Sequence, residues 1–223
     1  MTSAEDTAAC DVGPKLVEAD TYVEVYDEPL HPTVFDNEYV RVLKADCAAE
    51  HETLFHRHSE DSFFLFFRSA QIRNETVGKE PFEVDLVAGS FYWGDHLRNP
   101  IIHKVCVGKN DLDCMDVEIK ADRPKTPHPS PPLANTPSRE MCFENDVLRV
   151  YRIKVAPGNR VNGPNEDASS VSSACLVVCM CDAKLSRGDV KAGAVWWLGG
   201  GLVESVDSND GDQEAEVMVL QPM

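Results

Sequence analysis

The stretch LFHRHSEDSFFLFF, residues 54–67, places two histidines immediately before a continuous apolar run. Side chains alternate between the two faces of a β-strand, so His56 and His58 are predicted to project to the same side. Two imidazoles on one face can share a metal ion, although a lone His-x-His pair is weak evidence for one. A third ligand elsewhere in the chain would therefore decide what the pair means.

Short apolar or alternating runs of the same kind recur along the whole chain. Examples are YVRVLKA at 39–45, SFYWG at 90–94 and VLRVYRIKV at 147–155, and clusters of Gly, Pro, Asn and Asp bound such runs. Short strands at near-regular spacing with turn signals between them are typical of a β-sandwich or a closed barrel. The sequence therefore predicts an all-β fold.

Two blocks of sequence occur twice, in the same order. VFDNEYVRVLKAD at 34–46 matches CFENDVLRVYRIK at 142–154, and VDLVAGSFYW at 84–93 matches GDVKAGAVWW at 188–197. Self-similarity at this scale indicates the duplication of one structural unit. We therefore expect two small β-barrels in tandem.

A proline-rich stretch separates the two copies. Residues 121–140 contain six prolines, which are incompatible with a continuous helix or a central strand. His128 lies in this stretch and is expected to face solvent. The predicted segments are an N-terminal extension at 1–20, a first barrel at 21–120, a linker at 121–140 and a second barrel at 141–223.

The charge balance limits the classes of partner. The 223-residue chain has 38 acidic and 21 basic side chains and a formal net charge of −17. Such a surface repels nucleic-acid phosphates and anionic membranes, so neither is a predicted partner. No run approaches the ~20 apolar residues that a membrane span needs, and MTSAEDTAACDVG at 1–13 does not resemble a secretory signal. A cytoplasmic location is expected.

His103, within NPIIHKVCVGKND at 99–111, is the candidate third ligand. It begins an alternating run after a turn at Gly89. A small barrel lets histidines from separate strands meet in a cavity that is shielded from water. Three neutral imidazoles would leave the full +2 charge of a divalent ion available to polarise a chelating anion. His56, His58 and His103 are therefore the candidate ligands of one divalent metal ion, and a set of two histidines and one carboxylate would be equally competent.

The first half resembles the cupin superfamily, and the duplication makes the whole chain look like a bicupin. The resemblance rests on HRH at 56–58 before an apolar strand, AGSFYW at 88–93, and Pro100 followed by IIH at 101–103. It implies two tandem cupin-type jelly-roll β-barrels, of which the first holds the metal ion. It also implies a 3-His dioxygenase as the favoured activity, with Fe²⁺ as the favoured ion and Mn²⁺, Ni²⁺ or Zn²⁺ as alternatives.

The chain departs from the cupin pattern in two places. The glutamate of the family falls four residues after the second histidine, where this chain has Ser62, while Glu60 lies closer to the pair. If the strand is regular, Glu60 is a fourth ligand or an acid–base group; at a bend it would face solvent. Extra residues at 94–100 also place His96 near the predicted site, as a general base or, the favoured alternative, as an exposed loop residue.

The remaining candidate groups are assigned by strand position. Gln71, Arg73 and Tyr92 are the candidate substrate-binding residues. His31 and His51 fall in predicted loops and are expected to take no part in the site.

The second copy has no histidine, because none follows His128. We expect it to be structural, with one of Trp196 and Trp197 in its core and the other at the interface between the barrels. Because the family glutamate is missing and the second barrel has no histidine, a non-catalytic protein that stores or senses a metabolite or metal remains an alternative. A metal-dependent lyase or isomerase is a further alternative. A small-molecule substrate or ligand and a homodimer formed through sheet edges are also expected.

Overall fold

The computed structural model describes residues 16–125, 132, 135–161, 174–199 and 207–223. The prediction for His128 lies outside these residues, as do most of the predicted N-terminal extension and the middle of the predicted linker. Within the described ranges the chain is all-β, with one 3₁₀ turn at Val25–Asp27. No helix in these ranges is long and apolar enough to cross a membrane.

The first half consists of two five-stranded sheets, with strand orders β1-β4-β9-β6-β7 and β2-β3-β10-β5-β8. Its strands are β1 Val23–Glu24, β2 Thr33–Asp36, β3 Val40–Cys47, β4 His56–His58, β5 Asp61–Phe66, β6 Ala70–Thr76, β7 Phe82–Leu86, β8 Phe91–Gly94, β9 Ile101–Val107 and β10 Leu112–Ile119. A buried apolar cluster contributed by β3, β5 and β10 from one sheet and by β6 and β9 from the other lies between them. Two mainly antiparallel sheets packed in this way form the predicted jelly roll.

The second half, as far as it is described, has one five-stranded sheet, β11-β12-β19-β14-β17, and two two-stranded sheets, β13-β18 and β15-β16. Its strands are β11 Arg139–Glu144, β12 Leu148–Val155, β13 Arg160–Val161, β14 Cys175–Cys179, β15 Ala183–Leu185, β16 Gly188–Val190, β17 Val195–Leu198, β18 Asp207–Ser208 and β19 Ala215–Pro222. When the strands of each half are matched by their order along the chain, the five-stranded sheet of the second half has the same strand order as the β2-β3-β10-β5-β8 sheet of the first half.

These two large sheets pack against each other through a shared apolar core. The buried members of this core are Val40, Val42, Phe63, Leu65, Met115, Val117, Ile119, Leu148, Val150, Leu176, Val178, Met218 and Leu220. Trp197 packs against it and stacks on Phe35 and Tyr39 of the first half, while Trp196 packs against the separate core of the second half. One tryptophan thus lies at the interface and the other in the second core, as predicted.

Strand β10 shows how the fold produces both a core and a site. Because its side chains alternate, Met115 and Val117 point into the shared core, whereas Asp116 and Glu118 point into the first barrel. Both carboxylates are buried. The interior of the first barrel therefore has an apolar end, where Cys114 lies in the cluster between the sheets, and a polar end.

Candidate metal centre

Three histidines converge on adjacent strands at the polar end of the first barrel. Strands β4 and β9 are antiparallel neighbours in which His56 and His103 are direct partners, and His58 follows His56 on the same face. The three residues are 0%, 1% and 8% exposed in the order His56, His58, His103. Their ring centroids lie 4.5–5.0 Å apart. The predicted trio is thus assembled by strand pairing alone.

Two of the rings are oriented by hydrogen bonds from Nδ1. His56 Nδ1 lies 2.9 Å from the carbonyl oxygen of Leu54, and His103 Nδ1 lies 3.3 Å from Asn74 Oδ1. The Nε2 atoms of both histidines are buried and have no hydrogen-bond partner among the residues that the structure describes. Buried polar atoms without partners are costly, and an ion between them would satisfy them. Since ligand atoms of all three histidines lie within 4.8 Å of one another, the residues fit a metal ion.

Burial keeps two of the three histidines neutral before an ion binds. Burial, together with the nearby rings of His31 and His58, lowers the pKa of His56 to about 3. Burial, followed by the charges of His56 and His58, lowers the pKa of His103 well below its ordinary value. Metal ligation requires deprotonated imidazoles, so these side chains are in the ligating form at neutral pH.

The low pKa of His56 predicts that the metal-free protein loses stability in mild acid. An unfolded histidine titrates near 6.5, whereas folded His56 stays neutral down to about pH 3, so unfolding takes up a proton within this window. The free energy of unfolding should therefore fall as the pH falls, by about 2 kcal/mol between pH 7 and pH 5 for one such histidine. Urea unfolding of chelator-treated protein at the two pH values measures this. A His56→Asn variant should lose correspondingly less, and equal losses in both proteins would contradict the assignment.

His96 is buried, contrary to the expectation of an exposed loop residue. It lies in the loop between β8 and β9, and its ring centroid is 5.2 Å from that of His58. Gly94 leaves the space for this ring, since a Cβ atom there would collide with it. Burial, and then the neighbouring His58, lowers the pKa of His96. The structure thus brings this candidate acid–base group to the site.

His31 also lies at the site, next to His56, although it was expected to take no part in the site. Its ring is buried, with its centroid 4.8 Å from that of His56. His31 Nδ1 lies 2.6 Å from Glu28 Oε2, and the Glu28 carboxylate also accepts the backbone N–H groups of Leu30 and Leu54. Burial raises the pKa of Glu28, but these hydrogen bonds outweigh it and the net shift is downward. His51, by contrast, is exposed as expected.

Glu60 does not reach the histidines. The prediction that it shares their face required one regular strand, but β4 ends at His58 and β5 begins at Asp61 in the other sheet. The chain therefore changes sheets between them. The Glu60 carboxylate instead accepts a 2.8 Å hydrogen bond from the backbone N–H of Ala121.

Two of the three candidate substrate-binding residues, Gln71 and Arg73, point away from the barrel interior. Gln71 is exposed and bonds to Asp85, and Arg73 is exposed and pairs with Glu75. Tyr92 lies opposite Phe64 on the inward face of β8, with ring centroids 5.9 Å apart, although its side chain is 57% exposed. The prediction placed Gln71 and Arg73 on the inward face of β6, but both lie on its outward face. The inward residues of that strand are Ala70, Ile72, Asn74 and Thr76, of which Asn74 contacts His103.

The acidic residues of the site were missed by sequence reasoning. Asp116 Oδ2 lies 3.3 Å from His58 Nδ1, and Glu118 forms a 3.0 Å ion pair with Arg41. Burial and the charge of Asp116 raise the pKa of Glu118. The signal was present in LDCMDVEI at 112–119, where two acids with the same strand parity interrupt an apolar run. Acids at such positions are expected to face a partner inside the fold.

Comparisons with known proteins give the fold. The sequence matches no protein-family model and no curated protein. A cupin domain from Bordetella pertussis Tohama I is 25% identical over 41% of this chain and 92% of its own length, with a TM-score of 0.38. A mutant of Bacillus subtilis oxalate decarboxylase OxdC is 10% identical over 83% of this chain and 69% of its own, with a TM-score of 0.52.

Salicylate 1,2-dioxygenase from Pseudoaminobacter salicylatoxidans, in an adduct with gentisate, is 9% identical over 84% of this chain and 70% of its own. Its TM-score is 0.53. The decarboxylase and the dioxygenase each match most of this chain, across both of its halves, while sharing little sequence with it. These likenesses establish the architecture and leave the chemistry to be argued from the site.

Proposed function

Because the chain has the jelly-roll fold of cupin proteins, we propose that its first barrel is a metal-dependent enzyme site for a small molecule. His56, His58 and His103 would hold one divalent ion. The observation that carries this proposal is the convergence of three buried imidazoles, two of which present Nε2 atoms with no partner in the described part of the chain. A structural role would more simply be met by apolar side chains, since buried unsatisfied nitrogens destabilise a fold.

Iron is the favoured ion and a dioxygenase the favoured activity. All three ligands are neutral nitrogens, and Ser62 stands where the cupin pattern has an acidic ligand. When bound, such an ion supplies Lewis acidity toward a chelating anion and redox chemistry toward O₂. The likeness to salicylate 1,2-dioxygenase supports this choice through the fold. The substrate class proposed is a small chelating anion such as an enolate or a thiolate.

The surrounding residues would orient the ligands and exclude water. Phe64 packs edge-on against His58 and His96, with ring centroids 5.7 and 6.1 Å away. Leu54 and Asn74 fix the tilt of two ligand rings through their oxygen atoms. An enclosed site of this kind strengthens electrostatic contacts with a bound anion.

A metal-dependent lyase or isomerase is the second candidate. Such an enzyme needs a positioned base, and the buried ring of His96 beside His58 favours it. The Glu28–His31 pair next to His56 is another candidate for holding or moving a proton. Oxygen consumption separates the two candidates, because only the dioxygenase uses O₂.

The test is metal content followed by turnover. Tag-free protein should contain about one divalent ion per chain by elemental mass spectrometry, and chelated protein should regain it on anaerobic addition of Fe²⁺. Oxygen consumption is then followed with a panel of enolic and thiol-containing carboxylates. Less than about one tenth of an ion per chain, with no reloading by any divalent metal, would contradict a metal site of this type.

A further inference from the structure

Two of the three histidines share one mode of support. His56 Nδ1 faces a carbonyl oxygen and His103 Nδ1 faces an amide oxygen, and in both the Nε2 atom remains buried and unpaired within the described residues. Each of these rings is therefore held with Nδ1 toward a protein oxygen and Nε2 toward the centre. His58 lacks such a bond from Nδ1 within the same residues.

The group that faces His58 Nδ1 is the carboxylate of Asp116. The separation from Oδ2 is 3.3 Å, which is hydrogen-bond length, but the alignment leaves Nδ1 and both oxygens unpaired within the described residues. Asp116 is 1% exposed. A buried carboxylate with no partner costs on the order of several kcal/mol, and one hydrogen bond from His58 would satisfy Nδ1 and one of the two carboxylate oxygens.

The position of Asp116 follows from the pairing of β10 with β5. In this register Glu118 lies opposite Ser62 and Asp116 lies opposite Phe64. Ser62 holds the place of the glutamate in the cupin pattern, so acids of the neighbouring strand stand beside the vacant position. Glu118 is already paired with Arg41, which leaves Asp116 as the acid directed at a ligand histidine.

We propose that Asp116 is the positioning residue of the centre: its carboxylate accepts the Nδ1–H of His58 and directs His58 Nε2 at the metal ion. This inference rests on the proposed metal function of the three histidines. All three rings would then be supported in the same way, by a carbonyl, an amide and a carboxylate. The carboxylate would also place one compensating negative charge next to a +2 ion with neutral ligands.

Two measurements on Asp116→Ala test the proposal. Removal of an outer partner of a ligand histidine weakens metal binding by about 10–100-fold, so competitive Fe²⁺ or Co²⁺ titration should show a loss in this range. The second readout needs no metal. Histidine ¹H–¹⁵N correlation spectra of the chelated wild type should show His58 protonated on Nδ1, and this preference should be lost in the variant.

Glu118→Gln tests the other placement of an ion on this face of β10, since ligand atoms of His58, Asp116 and Glu118 also lie within 4.8 Å of one another. It should leave the metal affinity within about 3-fold of the wild type. Strong loss in this variant, equal to that of Asp116→Ala, would place the ion among His58, Asp116 and Glu118 and overturn the proposal. A Co²⁺ absorption spectrum that changes coordination number in Asp116→Asn would overturn it too, because Asp116 would then be a direct ligand.

The proposal and the proposed function fail in different ways. If the wild type binds no metal, the metal function fails, while a His58 Nδ1–H signal that depends on Asp116 would still support the contact. If the wild type binds metal and Asp116→Ala binds it equally well with an unchanged His58 tautomer, the positioning role of Asp116 is wrong and the metal centre stands.

Discussion

Replacing His103 with alanine is expected to abolish metal binding under ordinary conditions. His103 contributes a buried Nε2 atom with no other partner in the described chain, and it lies directly across from His56. Loss of an outer partner alone costs about 10–100-fold in affinity, so loss of a direct ligand should cost at least about 100-fold. Elemental mass spectrometry and Co²⁺ titration on tag-free protein measure this, together with oxygen consumption.

His51→Ala is the control for the His103 variant. It removes the same side chain from an exposed position that takes no part in the site. It should retain wild-type metal content and activity. Circular dichroism should show that the His103 variant keeps its β-structure, because the ring contributes to the site rather than to an apolar core. Full metal content in the His103 variant would remove His103 from the ligand set.

Replacing Phe63 with alanine is expected to cause the largest loss of stability. Phe63 is fully buried in the core shared by the two halves, stacks on Phe91 and packs at a tilt against Phe143, with centroids 5.0 and 5.5 Å away. Deleting a buried aromatic ring of this kind costs about 3–5 kcal/mol. The free energy of unfolding from urea titration measures it. Because Phe143 belongs to the second half, the two halves should unfold together in a single urea transition.

Phe82→Ala provides the matched comparison. Phe82 lies on the edge strand β7 and is 48% exposed, so its removal should change the free energy of unfolding by no more than about 0.5 kcal/mol. Two separate urea transitions in the wild type, with only the first shifted by Phe63→Ala, would show that the shared core does not couple the two halves.

Local periodicity was enough to find the ligand pair and the all-β fold. The alternation of a strand requires His56 and His58 to share a face, and this holds in any sheet. His103 was identified because the histidine pair needs a third ligand, and the alternating run after Gly89 begins with a histidine. The parity argument failed at Glu60 because two residues between β4 and β5 carry the chain into the other sheet. It failed at Gln71 and Arg73 because alternation does not say which face is inward.

The sequence by itself determined the strand-rich fold, the shared face of the histidine pair and the absence of histidines from the second half. These depend on neighbours along the chain. Only the tertiary structure decided which distant residues surround the pair, because contacts of His58 with His96 and Asp116 arise from strand pairing and loop closure. Burial of His31 and the pairing of Glu118 with Arg41 are of the same kind. Their charges and hydrogen bonds are set by three-dimensional packing, which a single sequence does not specify.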